Sequence, residues 1–131
     1  MDFDYILVGK FDVSKYHLNM KTTTDDVILS INRLYHIMDN HPEVLRYVKR
    51  LNRLLSDPDC VYVENGKLDT IWVVKNFKNN VKVTIRLNII KYGRKDYKNS
   101  IIQMQFLDNK RLENYLNSNR VSKVFAKEEV M

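Results

Sequence analysis

The chain has 131 residues, 44% of them hydrophobic, and a net charge of +6, which predicts one globular domain spanning residues 1–131. No stretch approaches the roughly 18 apolar residues of a membrane span, so we expect a cytoplasmic protein without a membrane partner. The single cysteine, Cys60, cannot form an internal disulfide, which favours a reducing compartment. The basic balance favours a polyanionic partner such as nucleic acid.

The N-terminal third predicts two short strands followed by a helix. Residues 5–8 and 27–29 are short apolar runs typical of strands. Ser30 is a plausible N-cap for the helix that follows. Pro42 predicts a break in that helix at the preceding residue and suits the first turn of a new helix.

The second helix has two stripes of opposite character. Its apolar stripe, at helical spacing, consists of Val44, Val48, Leu51 and Leu55. The four cations of its other stripe, here called the basic stripe, are Arg46, Lys49, Arg50 and Arg53. The basic stripe is either a solvated helix face or a track for phosphates, which would make binding strongly salt-dependent.

From residue 60 onward the hydrophobic period changes to two. Strands are predicted over residues 60–63, 70–75, 81–89 and 100–107, the first two joined by an Asn-Gly hairpin signal. A short helix capped by Asp108 and an edge strand over residues 121–125 are expected to follow. The order predicts an α+β fold in which N-terminal helices pack on one face of a four-stranded antiparallel sheet, with room for extra edge strands. The other sheet face is polar and is predicted to stay open.

A metal-independent ribonuclease site can be assembled from the polar residues. The sequence holds no metal motif or phosphate loop, and we expect no cofactor. His36 is a candidate general base that takes a proton from a 2′-hydroxyl, which then attacks the neighbouring phosphate. Arg86 and Gln103, on polar strand positions, are candidate donors to the developing negative charge. His36 also has a plainer interpretation as an ordinary helix-surface or core residue, and Arg86 as a solvated sheet residue.

A basic loop supplies further candidate RNA contacts. Residues 91–98 interleave lysine and arginine with tyrosine, which suits phosphate contact combined with base stacking, although a surface loop is the plainer interpretation. The RNA-binding candidates outside the basic stripe are Lys82, Arg94, Lys95, Tyr97, Lys98 and Asn99.

Three segments together resemble a known group of nucleases. They are HIMDNHP at residues 36–42, LSDPDCVY at residues 55–62, and TIRL at residues 84–87 followed by NSII at residues 99–102. In order and spacing they are similar to the phage-associated nuclease-like families of the barnase–EndoU–colicin–RelE superfamily. The resemblance covers residues 27–125, the expected core of the domain.

The resemblance implies a toxin-like, metal-independent endoribonuclease of a phage or mobile element, acting on tRNA or mRNA. It also implies an immunity or antitoxin protein as a further partner. The positions that match the family's motifs, and so are implied to be catalytic, are His36, His41, Arg86 and Ser100, with Asn99 at the start of the last motif. Gln103 departs from the family, because it stands where threonine is usual and lacks the hydroxyl.

Two alternatives remain beside the ribonuclease. One is a non-catalytic nucleic-acid-binding module on the same basic scaffold. The other is a phage or viral accessory protein that binds a host protein. Convergence of His36, Arg86 and Gln103 would favour the enzyme, whereas their separation beside a continuous basic surface would favour the binding module.

Overall fold

The computed structural model describes residues 4–16, 18–90 and 97–127. Within these ranges, no helix is long and apolar enough to cross a membrane. The strands are β1 Tyr5–Lys10, β2 Asp26–Ser30, β3 Cys60–Glu64, β4 Thr70–Asn76, β5 Asn80–Arg86, β6 Asn99–Phe106 and β7 Val121–Ala126. The helices are α1 Ile31–Asn40, α2 Leu51–Ser56 and α3 Asn109–Asn117, with 3₁₀ helices at Val13–Tyr16 and Pro42–Arg50.

The strands form one seven-stranded sheet in the order β1-β2-β6-β5-β4-β3-β7. Neighbouring strands are antiparallel except β2 and β6, which pair in parallel through Val27–Asn99 and Ile28–Ser100. The predicted four-stranded antiparallel sheet behind N-terminal helices is therefore wrong. The sheet is mixed and larger, and the helices come after the first two strands.

The error has a physical cause. The predicted meander corresponds to β3, β4, β5 and β6, whose partners are mostly joined by short turns with local sequence signals. The parallel contact joins residues about seventy positions apart and leaves no such signal in either strand. Without the parallel contact, the two N-terminal strands had no predicted partner. The predicted sheet therefore lacked the two strands that form one of its edges.

The helical layer covers one face of the sheet. Ser30 caps α1 as predicted, its hydroxyl accepting from the Arg33 amide at 3.1 Å. The predicted second helix is real but begins as a 3₁₀ helix at Pro42 and becomes α-helical only at Leu51. Side chains on its inner side lie in the main core, namely Val44, Tyr47, Leu51, Leu54 and Leu55. They pack with alternate residues of the central strands, Ile71, Val73, Val81, Val83 and Ile85 among them.

The opposite face was predicted to stay open, but α3 partly covers it. Asp108 caps this helix, accepting from the Arg111 amide at 2.8 Å. A second core cluster lies beneath it, formed by Tyr62, Trp72, Val74, Leu107 and Val121. Trp72 is a core residue there.

A bulge in β6 alters which side chains face the helical layer. Thr84 pairs with Gln103, but the next residue of β5, Ile85, pairs with Ile101. Ile102 is thus an extra residue, which interrupts the strict alternation expected of a strand over residues 100–107. Ile101 and Met104 lie in the main core, while Ile102 is half-buried beside Gln103 on the α3 side.

Candidate nucleic-acid interface

A concave basic surface, here called the basic groove, lies between the helical layer and the end of the β4–β5 hairpin. Its volume is about 580 Å³. Its lining consists of Arg46, Tyr47, Lys49, Arg50, Arg53, Lys75, Asn76, Phe77 and Lys78. The four cations of the basic stripe thus share one cavity with residues of the hairpin.

The local fold explains why the stripe faces outward. Val44 and Leu51 are fully buried, so the helical turns that carry them hold Arg46, Arg50 and Arg53 on the solvent side. The hairpin side is anchored by Lys75, whose ammonium donates to the Asp57 backbone oxygen at 2.7 Å. That contact joins the end of α2 to β4, which fixes the two walls of the groove relative to each other.

Two aromatic rings form the floor of the groove. Tyr47 and Phe77 stack with 5.3 Å between ring centroids. The Arg46 guanidinium lies 5.0 Å from the centroid of the Tyr47 ring, and that of Arg50 lies 5.8 Å from the centroid of Phe77. Such cation–π contacts hold a guanidinium in place while leaving its N–H donors available.

The groove carries cations that no carboxylate of the described residues neutralises. Within the described residues, none of the four stripe cations, nor Lys78, forms an ion pair. Lys75 is the exception, since it also contacts the Asp57 carboxylate at 3.3 Å. The groove therefore presents a concentrated positive potential that a polyanion can relieve.

The two candidate catalytic histidines lie in the helical layer. His36 is exposed on α1, and its backbone oxygen accepts from the Asn40 side chain at 2.9 Å. His41 lies at the break between α1 and the 3₁₀ helix, with its Nδ1 3.4 Å from the Glu43 carboxylate. Neither histidine lines the basic groove.

The other candidate catalytic residues face the α3 side of the sheet. Arg86 follows the inward-facing Ile85 on β5, is exposed, and pairs with Ser100. Gln103 lies on the same face. The structure thus brings Arg86, Ser100 and Gln103 onto one face but places His36 and His41 on the other side of the sheet. The predicted histidine–arginine–glutamine constellation is not assembled.

Several RNA-binding candidates have structural contacts instead. Asn99 is fully buried: its Oδ1 accepts from the Asn88 amide at 2.8 Å, and its Nδ2 donates to the backbone oxygens of Thr24 and Asp26. Lys98 forms an ion pair with Asp26 at 2.9 Å. Tyr97 is exposed beside them. Arg94 and Lys95 lie outside the described residues.

Lys82 was predicted to contact RNA, but it does not lie on an exposed surface. Its side chain is buried on the α3 side, against Trp72, and not on an exposed phosphate track. In contrast, the sequence did not predict four residues that line the groove, namely Tyr47, Lys75, Phe77 and Lys78. An aromatic residue between Asn76 and Lys78 in a predicted turn was the one available signal, since turns seldom need an aromatic ring.

Within the described ranges, no group of three or more histidine, cysteine, aspartate or glutamate side chains is placed to hold a metal ion. Comparison with protein-family models, with curated proteins and with solved structures finds no match for the chain. The function is therefore inferred from the surfaces of the protein, above all from the basic groove.

Proposed function

We propose that the chain is a nucleic-acid-binding module that holds a single strand in the basic groove. The observation that carries the proposal is the set of unneutralised stripe cations gathered in one concave surface over two aromatic rings. We keep the cytoplasmic location expected from the sequence, where nucleic acid is accessible.

The shape and chemistry of the groove favour a single strand over a duplex. A cavity of about 580 Å³ admits a sugar–phosphate segment with a base or two, whereas a duplex is too wide to enter it. Guanidinium planes such as those of Arg46 and Arg50 stack on unpaired bases as well as contacting phosphates. Contacts of the stripe cations to phosphates carry no sequence information, so sequence preference should be weak.

The proposal is tested by fluorescence anisotropy with 12-nucleotide single-stranded RNA and DNA. Wild type should bind both at low ionic strength. Arg50→Glu combined with Arg53→Glu should weaken binding at least tenfold, because two phosphate contacts become repulsions. Both residues are exposed, so the fold should be retained.

The matched control is Arg33→Glu combined with Lys110→Glu, which changes net charge equally at exposed positions outside the groove. It should bind within about twofold of wild type if the groove is the binding surface, since distant exposed charges are largely screened. An equal loss in both double variants would show that net charge alone drives binding, and would contradict the proposal.

The ribonuclease hypothesis requires its own test. Cleavage of total tRNA in EDTA, lost in both His36→Ala and Arg86→Ala, would support a metal-independent endoribonuclease. Our proposal expects intact tRNA, because His36 and Arg86 lie on opposite sides of the sheet and cannot act on one phosphate.

The protein-binding hypothesis has a surface of its own. A groove of about 750 Å³, larger in volume than the basic groove, has a mainly apolar lining. This lining includes the exposed Leu68 and Ile90. Absence of both nucleic-acid binding and cleavage would return attention to this surface as the docking site for a host protein.

A further inference from the structure

A second, smaller cavity lies on the α3 side of the sheet, on the face opposite the basic groove. Its volume is about 260 Å³. Strand residues form its floor, and α3 with the segment after it forms one wall. The residues used in the argument below are Glu64, Lys82, Thr84, Gln103, Arg111 and Arg120.

Lys82 is a buried cation that has no counter-ion among the described residues. Its side chain is 2% exposed, and its ammonium lies 3.9 Å from the centroid of the Trp72 ring. It forms no hydrogen bond or ion pair with any residue in the described ranges. Burial first, and then the nearby cations Arg111 and Arg120, lower the pKa of Lys82 to about 8 against the opposing effect of Glu64. A buried ammonium without a partner is costly, and a bound anion would offset that cost.

Among the described residues that line the cavity, the one carboxylate already has partners. Glu64 lies 3.3 Å from the Lys67 ammonium and accepts from the Trp72 indole N–H at 3.3 Å. Arg111 and Arg120 line the same wall and form no ion pair within the described ranges. The cavity therefore holds four cations, Lys67 included, against one carboxylate.

Neutral hydrogen-bonding groups complete the floor. The Thr84 hydroxyl is buried and has no partner within the described part of the chain. Beside it the Gln103 amide donates to Gln105 over a long 3.4 Å contact. An oxyanion in the cavity would accept from both donors and would give the buried hydroxyl the partner that it lacks.

We propose that this cavity binds the phosphate group of a phosphomonoester, with Lys82 beneath the phosphate and Arg111 and Arg120 at its rim. A phosphate dianion has enough charge for the buried ammonium and one guanidinium, and its oxygens match the arginine fork. The volume accommodates the phosphate and the first atoms of the ester, leaving the rest of the molecule outside. The site is independent of the basic groove, because the two lie on opposite faces.

The test is isothermal titration of the full chain with ribose 5-phosphate, with ribose as the uncharged comparison. Wild type should bind the phosphate saturably at pH 7 and not bind ribose. Arg111→Ala should weaken binding at least fivefold, whereas Lys110→Ala, its exposed neighbour outside the cavity, should not. Lys82→Met should abolish binding, and a circular dichroism spectrum like that of wild type would show that it folds.

A second arm of the experiment distinguishes two sources of the phosphate group, a nucleic-acid end and a small phosphate ester. In the Arg50→Glu, Arg53→Glu background, an 8-nucleotide RNA with a 5′-phosphate is compared with the same RNA carrying a 5′-hydroxyl. Preference for the phosphorylated RNA over ribose 5-phosphate assigns the site to nucleic-acid ends, and the reverse assigns it to small phosphate esters. Equal binding of each ligand and its unphosphorylated counterpart, or undiminished binding by Lys82→Met, would overturn the proposal.

Discussion

The guanidinium of Arg50 lies over the ring of Phe77, with 5.8 Å between its central carbon and the ring centroid. Arg50 is the last residue of the long 3₁₀ helix, and Phe77 lies in the turn between β4 and β5. The contact bridges the two walls of the basic groove. It therefore fixes a cation at the place where a bound strand would pass.

Loss of the Phe77 ring should weaken binding without removing any charge. Phe77→Leu keeps an apolar side chain but removes the surface that positions Arg50 and supports Tyr47. Since an exposed cation–π contact contributes about 0.5 to 1 kcal/mol, we expect a two- to fivefold loss of affinity for single-stranded RNA. Anisotropy at fixed salt measures it, and unchanged affinity would show that the ring does not position the cation.

Lys82 should destabilise the unbound protein. Its folded pKa of about 8 lies below its ordinary value of 10.5, so the penalty is complete below pH 8 and disappears as the pH rises to 10.5. Lys82→Met should raise the free energy of unfolding at pH 7 by about 1 to 3 kcal/mol, after allowance for the lost contact with Trp72. Urea unfolding at pH 7 and pH 10 tests this, and a variant less stable than wild type at pH 7 would contradict it.

Asn99 should matter for stability and not directly for binding. Its amide serves the Asn88 N–H and two backbone oxygens that border β2. Asn99→Ala leaves these buried groups without a partner and should lower the free energy of unfolding by about 2 to 4 kcal/mol. Normal stability with weakened RNA binding would instead restore the RNA-contact role predicted from the sequence.

The carboxylate of Asp57 should give an acid-sensitive contribution to stability. Hydrogen bonds from Lys127 and then Lys75 hold its pKa below the ordinary 3.8. The stabilisation is therefore present above pH 3.8 and is lost as the pH falls through the lowered pKa. Asp57→Asn should melt at a lower temperature than wild type at pH 7, and the difference should shrink on acidification below pH 3.8. A difference that stays constant down to pH 2 would contradict the assignment.

Local signals in the sequence predicted individual elements of the fold but not the sheet that they form. The two helix caps, Ser30 and Asp108, and the break at Pro42 are where the sequence placed them, because each depends on a few adjacent residues. The alternation along β5 likewise predicted which of its side chains lie in the main core, namely Val81, Val83 and Ile85. The parallel pairing of β2 with β6 and the bulge at Ile102 depend on distant partners, which a single sequence does not reveal.

The candidate site was predicted only in part. Helical spacing correctly gathered the basic stripe on one exposed face. It could not show that Phe77 and Lys78 fold against that face, since the hairpin reaches it through tertiary contact alone. Conversely, polar alternation suggested a solvated strand position for Lys82, and the covering by α3 buries it.

The measurement that tests the central claim most directly is the salt dependence of binding to single-stranded RNA. If the four stripe cations each contact a phosphate, the logarithm of the binding constant should fall against the logarithm of salt concentration with a slope of about −3. Arg50→Ala combined with Arg53→Ala should bring the slope to about −1.5, whereas Arg33→Ala combined with Lys110→Ala should leave it at about −3. A slope near zero in wild type, or the same slope in all three proteins, would contradict the basic groove as the nucleic-acid site.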